Sequence, residues 1–473
     1  MITLYDHQKK AVNLLKENDN FALLMSMGTG KSACIVTDWI ETQDTNLLLI
    51  APKSVYRNWY GEIDKVLTEE QKKFVFITHW VSGGGNKKDQ ANISRVLKPW
   101  PNIRRVFLMN VEAFSSTKNA IKCAEKFLES GKGIIVIDES TRIKTGSSNR
   151  TKAIVSLGEK AWRKRILSGL PTPRSPMDLF SQFYFLDWRI LGFRNFYSFR
   201  SRYAVLKKMV FGGRSVDTIV SYQNLDELQA KVAKASFRVL KEECLDLPPK
   251  IYTERSVDLS DEQRRLYEEL RKNATSQLND EFVTSTTAIS LLQRLHQITY
   301  GHVRNDLGEI VDVDASPREQ ALMEVLEECD GKVIIWANFR ATIKRIRKLI
   351  IDEYGEESLV EYWGETSSDL RETAKSRFQQ DPTCRFFLGN PSTGGIGITL
   401  TAAKYMCYYS NSFDLEHRLQ SEDRAHRAGL QHPVTYIDLV ARGTIDEKIL
   451  KALRAKIDLA SLITGESAKE WIR

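Results

Sequence analysis

Residues 21–32 read Phe21-Ala22-Leu23-Leu24-Met25-Ser26-Met27-Gly28-Thr29-Gly30-Lys31-Ser32. An apolar run of this length, closed by a glycine turn, suits a strand buried on both faces of a parallel sheet. A helical pattern follows Ser32. Between strand and helix the glycines let backbone N–H groups close around phosphate oxygens, Lys31 reaches the β- and γ-phosphates, and the Ser32 hydroxyl is suited to ligate Mg²⁺. On average composition, GxGK[ST] arises by chance in roughly one chain in a hundred of this length. Flanked by a strand and a helix, it reads as a phosphate-binding loop, with Met27, Gly28, Thr29, Gly30, Lys31 and Ser32 as the nucleotide-binding candidates. Met25 stands where the general motif has its first glycine or alanine.

Similar short apolar runs recur outward from this stretch. Leu47–Ala51, Phe74–Thr78, Arg105–Met109, Gly133–Asp138 and Arg165–Ser168 precede a long helical section. Lys332–Trp336, Leu359–Trp363, Arg385–Gly389, Tyr405–Tyr409 and Val434–Leu439 follow it. Each set alternates with helical patterns, so both halves read as α/β layers. From Asp178 to Glu328 the alternation stops and helical patterns such as Asp261–Leu278 and Ser285–Thr299 take over. Leu247-Pro248-Pro249-Lys250 breaks that section and marks the expected hinge.

Two further signals carry chemistry. The strand Gly133–Ile137 ends in Asp138-Glu139-Ser140, which puts two carboxylates where α/β ligand sites form. Asp138 is the expected Mg²⁺ partner, and Glu139 the group that orients and deprotonates an attacking water. The second is Gln420-Ser421-Glu422-Asp423-Arg424-Ala425-His426-Arg427-Ala428-Gly429. Its arginines, three apart, are expected on one helical face, where a permanently charged guanidinium could reach a transferring γ-phosphoryl group from the opposite lobe. Hydrolysis would then depend on lobe closure.

With 473 residues, 42% of them hydrophobic and 27% charged, the chain has apolar material for more than one sizeable core and is not broadly disordered. Its 69 Lys+Arg against 61 Asp+Glu give +8, compatible with a polyanionic partner. The excess concentrates between Lys160 and Arg214, where basic and aromatic residues interleave in a pattern that suits phosphate contacts beside a packed or stacking surface. Six scattered cysteines without metal spacing point away from disulfides and zinc and toward a reducing compartment. His417 and His426 read as polar helix residues rather than ligands. Met1–Lys10 reaches charge within six residues, so no secretory signal is expected there. The longest uncharged run, Phe386–Ala403, is broken by four glycines and Pro391, so no membrane segment is expected.

Together these blocks resemble the superfamily 2 helicases, and within them the Swi/Snf-like DNA-dependent ATPases. Leu4-Tyr5-Asp6-His7-Gln8 resembles the Q motif, whose glutamine reads adenine. Ala51-Pro52-Lys53-Ser54-Val55 with Asn58, Trp59 and Glu62 resembles motif Ia, and Asp138–Lys144 motif II. Ser168-Gly169-Leu170-Pro171 is similar to motif III. Leu291–Leu295 with Ile298 resembles a helical block of the branch. Ser392–Gly397 with Thr399–Ala403 resembles motif V, and Gln420–Gly429 motif VI. Ser140 and Thr141 stand where the branch has alanine and histidine, so the link between motifs II and III is left undefined. Leu430 replaces a glutamine, although Gln431 follows.

The resemblance implies two RecA-like parallel-sheet lobes with helical insertions between them. Its expected divisions are a first lobe at 1–177, a helical protrusion at 178–246, a hinge with helical elements at 247–328 and a second lobe at 329–473. It implies ATP and Mg²⁺ as cofactors, Lys31, Asp138, Glu139, Arg424 and Arg427 as catalytic residues, and Gln8 and Gly397 as further nucleotide contacts. Lys53, Ser54, Arg57, Asn110, Ser392 and Thr393 are the expected nucleic-acid contacts, with binding largely independent of sequence. The expected partner is DNA, in duplex or branched form, and the expected activity is translocation along duplex, with fork regression or branch migration as the outcome. Removal of proteins from DNA, an RNA helicase and an ATP-gated clamp are the alternatives. The bareness of the sequence around these blocks favours a compact prokaryotic or phage-type protein in a cytoplasm, with a nuclear setting also open.

Overall fold

The apolar runs form the centres of two parallel sheets. The computed structural model describes residues 3–42, 44–211, 214–279, 285–304, 309–394, 398–427 and 429–464. The chain packs as two compact units, residues 3–205 with 222–245 and 459–464, and residues 206–221 with 246–458.

In the first unit the strands are β1 (Asn20–Met25), β2 (Asn46–Ala51), β3 (Val75–His79), β4 (Arg104–Asn110), β5 (Gly133–Asp138) and β6 (Arg163–Leu167). The strands β7 (Ala204–Phe211) and β8 (Arg214–Tyr222), whose residues 206–221 belong to the second unit, form a two-stranded sheet of their own, and β9 (Ser236–Val239) completes the first unit's order β3-β4-β2-β5-β6-β1-β9. Every pairing in this seven-stranded sheet is parallel. All six residues of β2 and five of the six in β5 are buried, as strands covered on both faces require. Helices α1 (Asp6–Glu17), α2 (Lys31–Glu41) and α3 (Tyr56–Val66) bring Ala11, Leu15, Trp39, Trp59 and Ile63 into one core with Leu23, Leu49 and Val136. Burying each large apolar side chain contributes about 1.5–3 kcal/mol.

Arg165 shows how a charge survives inside that core. Its guanidinium donates to Asp38 Oδ2 at 3.2 Å, to Asp19 O at 2.6 Å and to Leu15 O at 2.7 Å. The cation on β6 therefore ties α1 and α2 to the sheet, and the Asp38 carboxylate compensates its charge.

The second unit repeats the plan. Its strands are β10 (Lys250–Val257), the antiparallel pair β11 (His302–Arg304) and β12 (Ile310–Asp312), then β13 (Lys332–Trp336), β14 (Leu359–Tyr362), β15 (Phe386–Gly389), β16 (Ala403–Tyr408) and β17 (Val434–Ala441). The sheet order is β10-β17-β16-β13-β15-β14, again wholly parallel. Arg318, whose guanidinium lies 4.4 Å from the Tyr300 ring and 5.5 Å from the Tyr409 ring, donates to Tyr409 O at 2.5 Å and pairs with Asp446.

One expectation needs correction. The section Asp178–Glu328 is not purely helical: β7 to β12 all lie in it, and β9 and β10 are edge strands of the two large sheets. β9 has only four residues, and β10, Lys-Ile-Tyr-Thr-Glu-Arg-Ser-Val, is mostly polar with most of its side chains exposed. Neither resembles a strand buried on both faces. Part of the basic excess between Lys160 and Arg214 is paired, some of it with acids outside the segment (Glu129, Asp19 and Glu227) and some with the two acids inside it (Asp178 and Asp187). Lys160 meets Glu129, Arg163 meets Asp19, Arg174 meets Asp178, Arg189 meets Asp187 and Arg202 meets Glu227. Several of the aromatics there build core: Phe180, Phe183, Phe185, Phe199 and Tyr203 are buried, whereas Trp162, Phe196 and Tyr197 face solvent. Among the described residues no helix is long and apolar enough to cross a membrane.

Candidate active site

Strands β1, β2, β4, β5 and β6 run parallel, so their C-terminal ends share one edge, where α/β sheets bind ligands. The phosphate-loop candidates follow β1, Lys53 and Ser54 follow β2, Asn110 ends β4, Asp138 ends β5 and Ser168 follows β6. Register fixes their spacing. Leu167 pairs with Leu23 on one side and Asp138 on the other, which sets Leu23 of β1, the strand that leads into the loop, about two strand spacings, roughly 10 Å, from Asp138.

Met25 is the last residue of β1 and fully buried, which explains why an apolar side chain replaces the motif's first small residue. Gly28 (φ 81°) and Gly30 (φ 88°) are both left-handed. A Cβ on Gly30 would lie 2.1 Å from Gln8 Nε2, so both conformation and space demand glycine. Gln8 reaches the loop from α1, donating Nε2 to Thr29 O at 3.0 Å while its Oε1 accepts from Tyr5 N at 3.0 Å. His7 Nε2 donates to the same Thr29 carbonyl at 2.9 Å. Lys31 Nζ folds back onto Met25 O at 2.8 Å and Ser26 O at 3.2 Å, and Ser32 follows it at the start of α2.

Asp138 is held on both oxygens. Trp59 Nε1 donates to Oδ2 at 2.8 Å, and Glu139 N donates to Oδ1 at 3.1 Å. Burial pushes its carboxyl above the usual aspartate range, while the Trp59 hydrogen bond, the Lys31 charge and the Glu139 N–H favour the ionised form. Glu139 itself is left-handed at φ 53° and ψ 62°. That conformation costs a side-chain-bearing residue about 1 kcal/mol or more and persists where the surroundings hold it.

Lys53 and Ser54 sit exposed in a short turn, Arg57 at the exposed start of α3. Asn110 pairs in register with Ala51, so it joins them at the edge, with its Nδ2 3.5 Å from Glu112 Oε2. In the second unit, Ser392 N and Oγ donate to Asn390 Oδ1 at 2.9 and 2.6 Å, and Thr393 N donates to Asn390 O at 3.0 Å. Gly397 lies outside the described residues.

The arginine pair is brought together differently from the expectation. The helix Leu415–Glu422 stops before Arg424, so the two arginines do not share a helical face. The Arg424 carbonyl accepts from Leu400 N at 2.8 Å, which diverts the chain into a turn. Arg424 Nη1 and Arg427 Nη1 each donate to Ile398 O at 3.2 Å, and Arg427 also donates to Thr399 Oγ1 at 2.7 Å. His426 Nε2 donates to Pro248 O at 2.8 Å, and His417 lies 3.6 Å from Asp414.

Two residues at the first edge escaped the sequence reading. Trp59 was visible only as part of a motif, with no sign that its indole reaches Asp138. Gln182 is a buried amide inside the apolar run Leu179–Leu186, and a buried amide requires partners.

Residues 5–301 match the SNF2-related domain and residues 317–429 the helicase conserved C-terminal domain. A TATA-binding protein-associated factor of Aspergillus fumigatus is 26% identical over 98% of this chain and 27% of its own length. A human DNA annealing helicase and endonuclease is 24% identical over 96% of this chain and 40% of its own length. The chain thus spans well under half of these curated relatives. The SWI2/SNF2 ATPase core of Sulfolobus solfataricus, solved in complex with double-stranded DNA, is 24% identical, with a TM-score of 0.42 over 100% of this chain and 95% of that one. With the first match alone covering more than half of its residues, the chain belongs to the SNF2-related domain family and carries a helicase C-terminal domain behind it.

Proposed function

We propose that this protein is an ATP-hydrolysing DNA translocase that couples nucleotide turnover to movement along duplex DNA and remodels branched DNA. The observation that carries the reading is the shared sheet edge, where Lys31, Asp138 and Glu139 stand beside the exposed Lys53, Ser54 and Arg57. In this reading the loop from Met27 to Ser32 binds the phosphates, Gln8 and Gly397 contact the nucleotide, and Glu139 orients and deprotonates the attacking water. Arg424 and Arg427 neutralise charge that develops on the γ-phosphoryl group. Ser32 and Asp138 would hold Mg²⁺. Their hydroxyl and carboxylate oxygens fit a hard cation that takes one or two protein ligands beside substrate phosphates, and the ion supplies charge neutralisation there. Lys53, Ser54, Arg57, Asn110, Ser392 and Thr393 contact the DNA backbone, without reading bases.

The relative named as a DNA annealing helicase supports the branched-DNA reading. The relative named as a factor associated with the TATA-binding protein supports a second one, removal of proteins from DNA. The test measures ATP turnover with single-stranded, duplex, forked and four-way DNA and with RNA, alongside movement of a four-way junction and displacement of a bound protein. Strong stimulation by branched DNA with junction movement is expected. Displacement without junction movement selects the second reading, stimulation by RNA alone overturns both, and binding without turnover leaves an ATP-gated clamp.

A further inference from the structure

The acidic loop is tied to the turn after β6 by a single buried amide. Ser140, which follows Asp138 and Glu139, donates its hydroxyl to Gln182 Oε1 at 2.6 Å. Gln182 Nε2 donates to Pro171 O at 2.7 Å and to Asp178 O at 2.8 Å. The polarity of this relay is fixed by chemistry. The two main-chain carbonyls can only accept, so the amide nitrogen faces them, the amide oxygen faces Ser140, and the Ser140 hydroxyl must donate. Ser140 and Gln182 are both fully buried, so water cannot replace a lost partner.

The far end of the relay touches the phosphate loop. Pro171 closes the Ser168–Pro171 turn, and a Cβ on Gly169 in that turn would lie 3.2 Å from Met27 Cγ and 3.5 Å from Met27 N. The turn is therefore seated against the loop backbone, while Gln182 fixes it to the residue after Glu139. Glu139 is held in a left-handed conformation that needs such support.

We propose that Gln182 is a positioning residue that sets the placement of the Glu139 carboxylate relative to nucleotide on the Met27–Ser32 loop. This rests on the reading of Glu139 as the group that activates water. Ser140 takes part because its hydroxyl supplies the donor, and the pair makes the link that the sequence left undefined at motifs II and III.

The test compares Gln182→Met, which keeps the length and removes both donors and the acceptor, with Ser140→Ala, Ser140→Thr and the Gln182→Met/Ser140→Ala double variant. Readouts are kcat, KM and nucleotide affinity by direct binding. A small displacement of a catalytic group lowers turnover far more than binding. Gln182→Met and Ser140→Ala should each lower kcat by about tenfold while KM and affinity stay within about twofold. The double variant should be no slower than either single one, and Ser140→Thr, which retains the hydroxyl, should recover most of the rate. Lowered melting temperature with unchanged kcat, or additive losses in the double variant, overturns the proposal. If Gln182→Met fails to fold, the contrast between Ser140→Ala and Ser140→Thr decides. Absence of turnover in the unaltered protein overturns the functional reading as well, whereas equal turnover in all variants overturns this inference alone.

Discussion

Trp59 donates its indole N–H to Asp138 Oδ2 at 2.8 Å, joining the helix that carries Arg57 to the carboxylate proposed to hold Mg²⁺. Partners that orient a metal-holding carboxylate typically matter by about 10- to 100-fold in metal affinity or activity. Trp59→Phe keeps an aromatic ring in the core and removes the donor. The Mg²⁺ concentration giving half-maximal turnover should rise about tenfold. An Mg²⁺ titration of ATP turnover checks this, and an unchanged midpoint contradicts it.

Arg427 shares the Ile398 carbonyl with Arg424 and adds a hydrogen bond to Thr399 Oγ1. Because charge on the phosphoryl group develops in the transition state, Arg427→Ala should lower kcat by about 10³-fold and change nucleotide affinity only a few-fold. Single-turnover hydrolysis beside direct nucleotide binding separates the two. A pure affinity loss contradicts the assignment.

His296 links acidity to the stability of the second unit. Its ring packs at 4.9 Å on Tyr300 and 5.2 Å on Phe339. Burial, with Arg318 and His302 nearby, draws its pKa from 6.5 down to about 4, against the pull of Asp446. Between those values the unfolded chain binds the proton and the folded chain does not, so stability is lost as pH falls from 6.5 towards 4 and is unaffected above 6.5. His296→Gln should show a smaller fall in melting temperature between pH 7 and pH 5 than the unaltered protein. Equal falls contradict the argument.

Lys53 and Arg57 stand exposed at the edge shared with the nucleotide residues. If both neutralise phosphates, the double variant Lys53→Ala/Arg57→Ala should lower the slope of log affinity against log salt by about 2. Binding isotherms on duplex DNA at four salt concentrations check this. An unchanged slope removes these residues from the DNA track.

The sequence made the central strands legible because each is a continuous apolar run buried on both faces, as Leu47–Ala51 is. Edge strands obey a weaker rule. Ser236–Val239 is too short to show a period, and Lys250–Val257 exposes most of its side chains to solvent. The phosphate loop and the acidic pair were legible because their chemistry is local to the chain. The Trp59–Asp138 bond and the Ser140–Gln182–Pro171 relay were not, since both join residues brought together only by folding. The end of the helix at Glu422 was hidden for the same reason: Leu400, distant in sequence, takes the Arg424 carbonyl.

Steady-state phosphate release with and without duplex DNA, measured for the unaltered protein and for Glu139→Gln beside nucleotide affinity, tests the central claim most directly. The account predicts DNA-stimulated release that falls by about 10² or more in Glu139→Gln while affinity changes little. Release that ignores DNA, or that continues undiminished in Glu139→Gln, would contradict it.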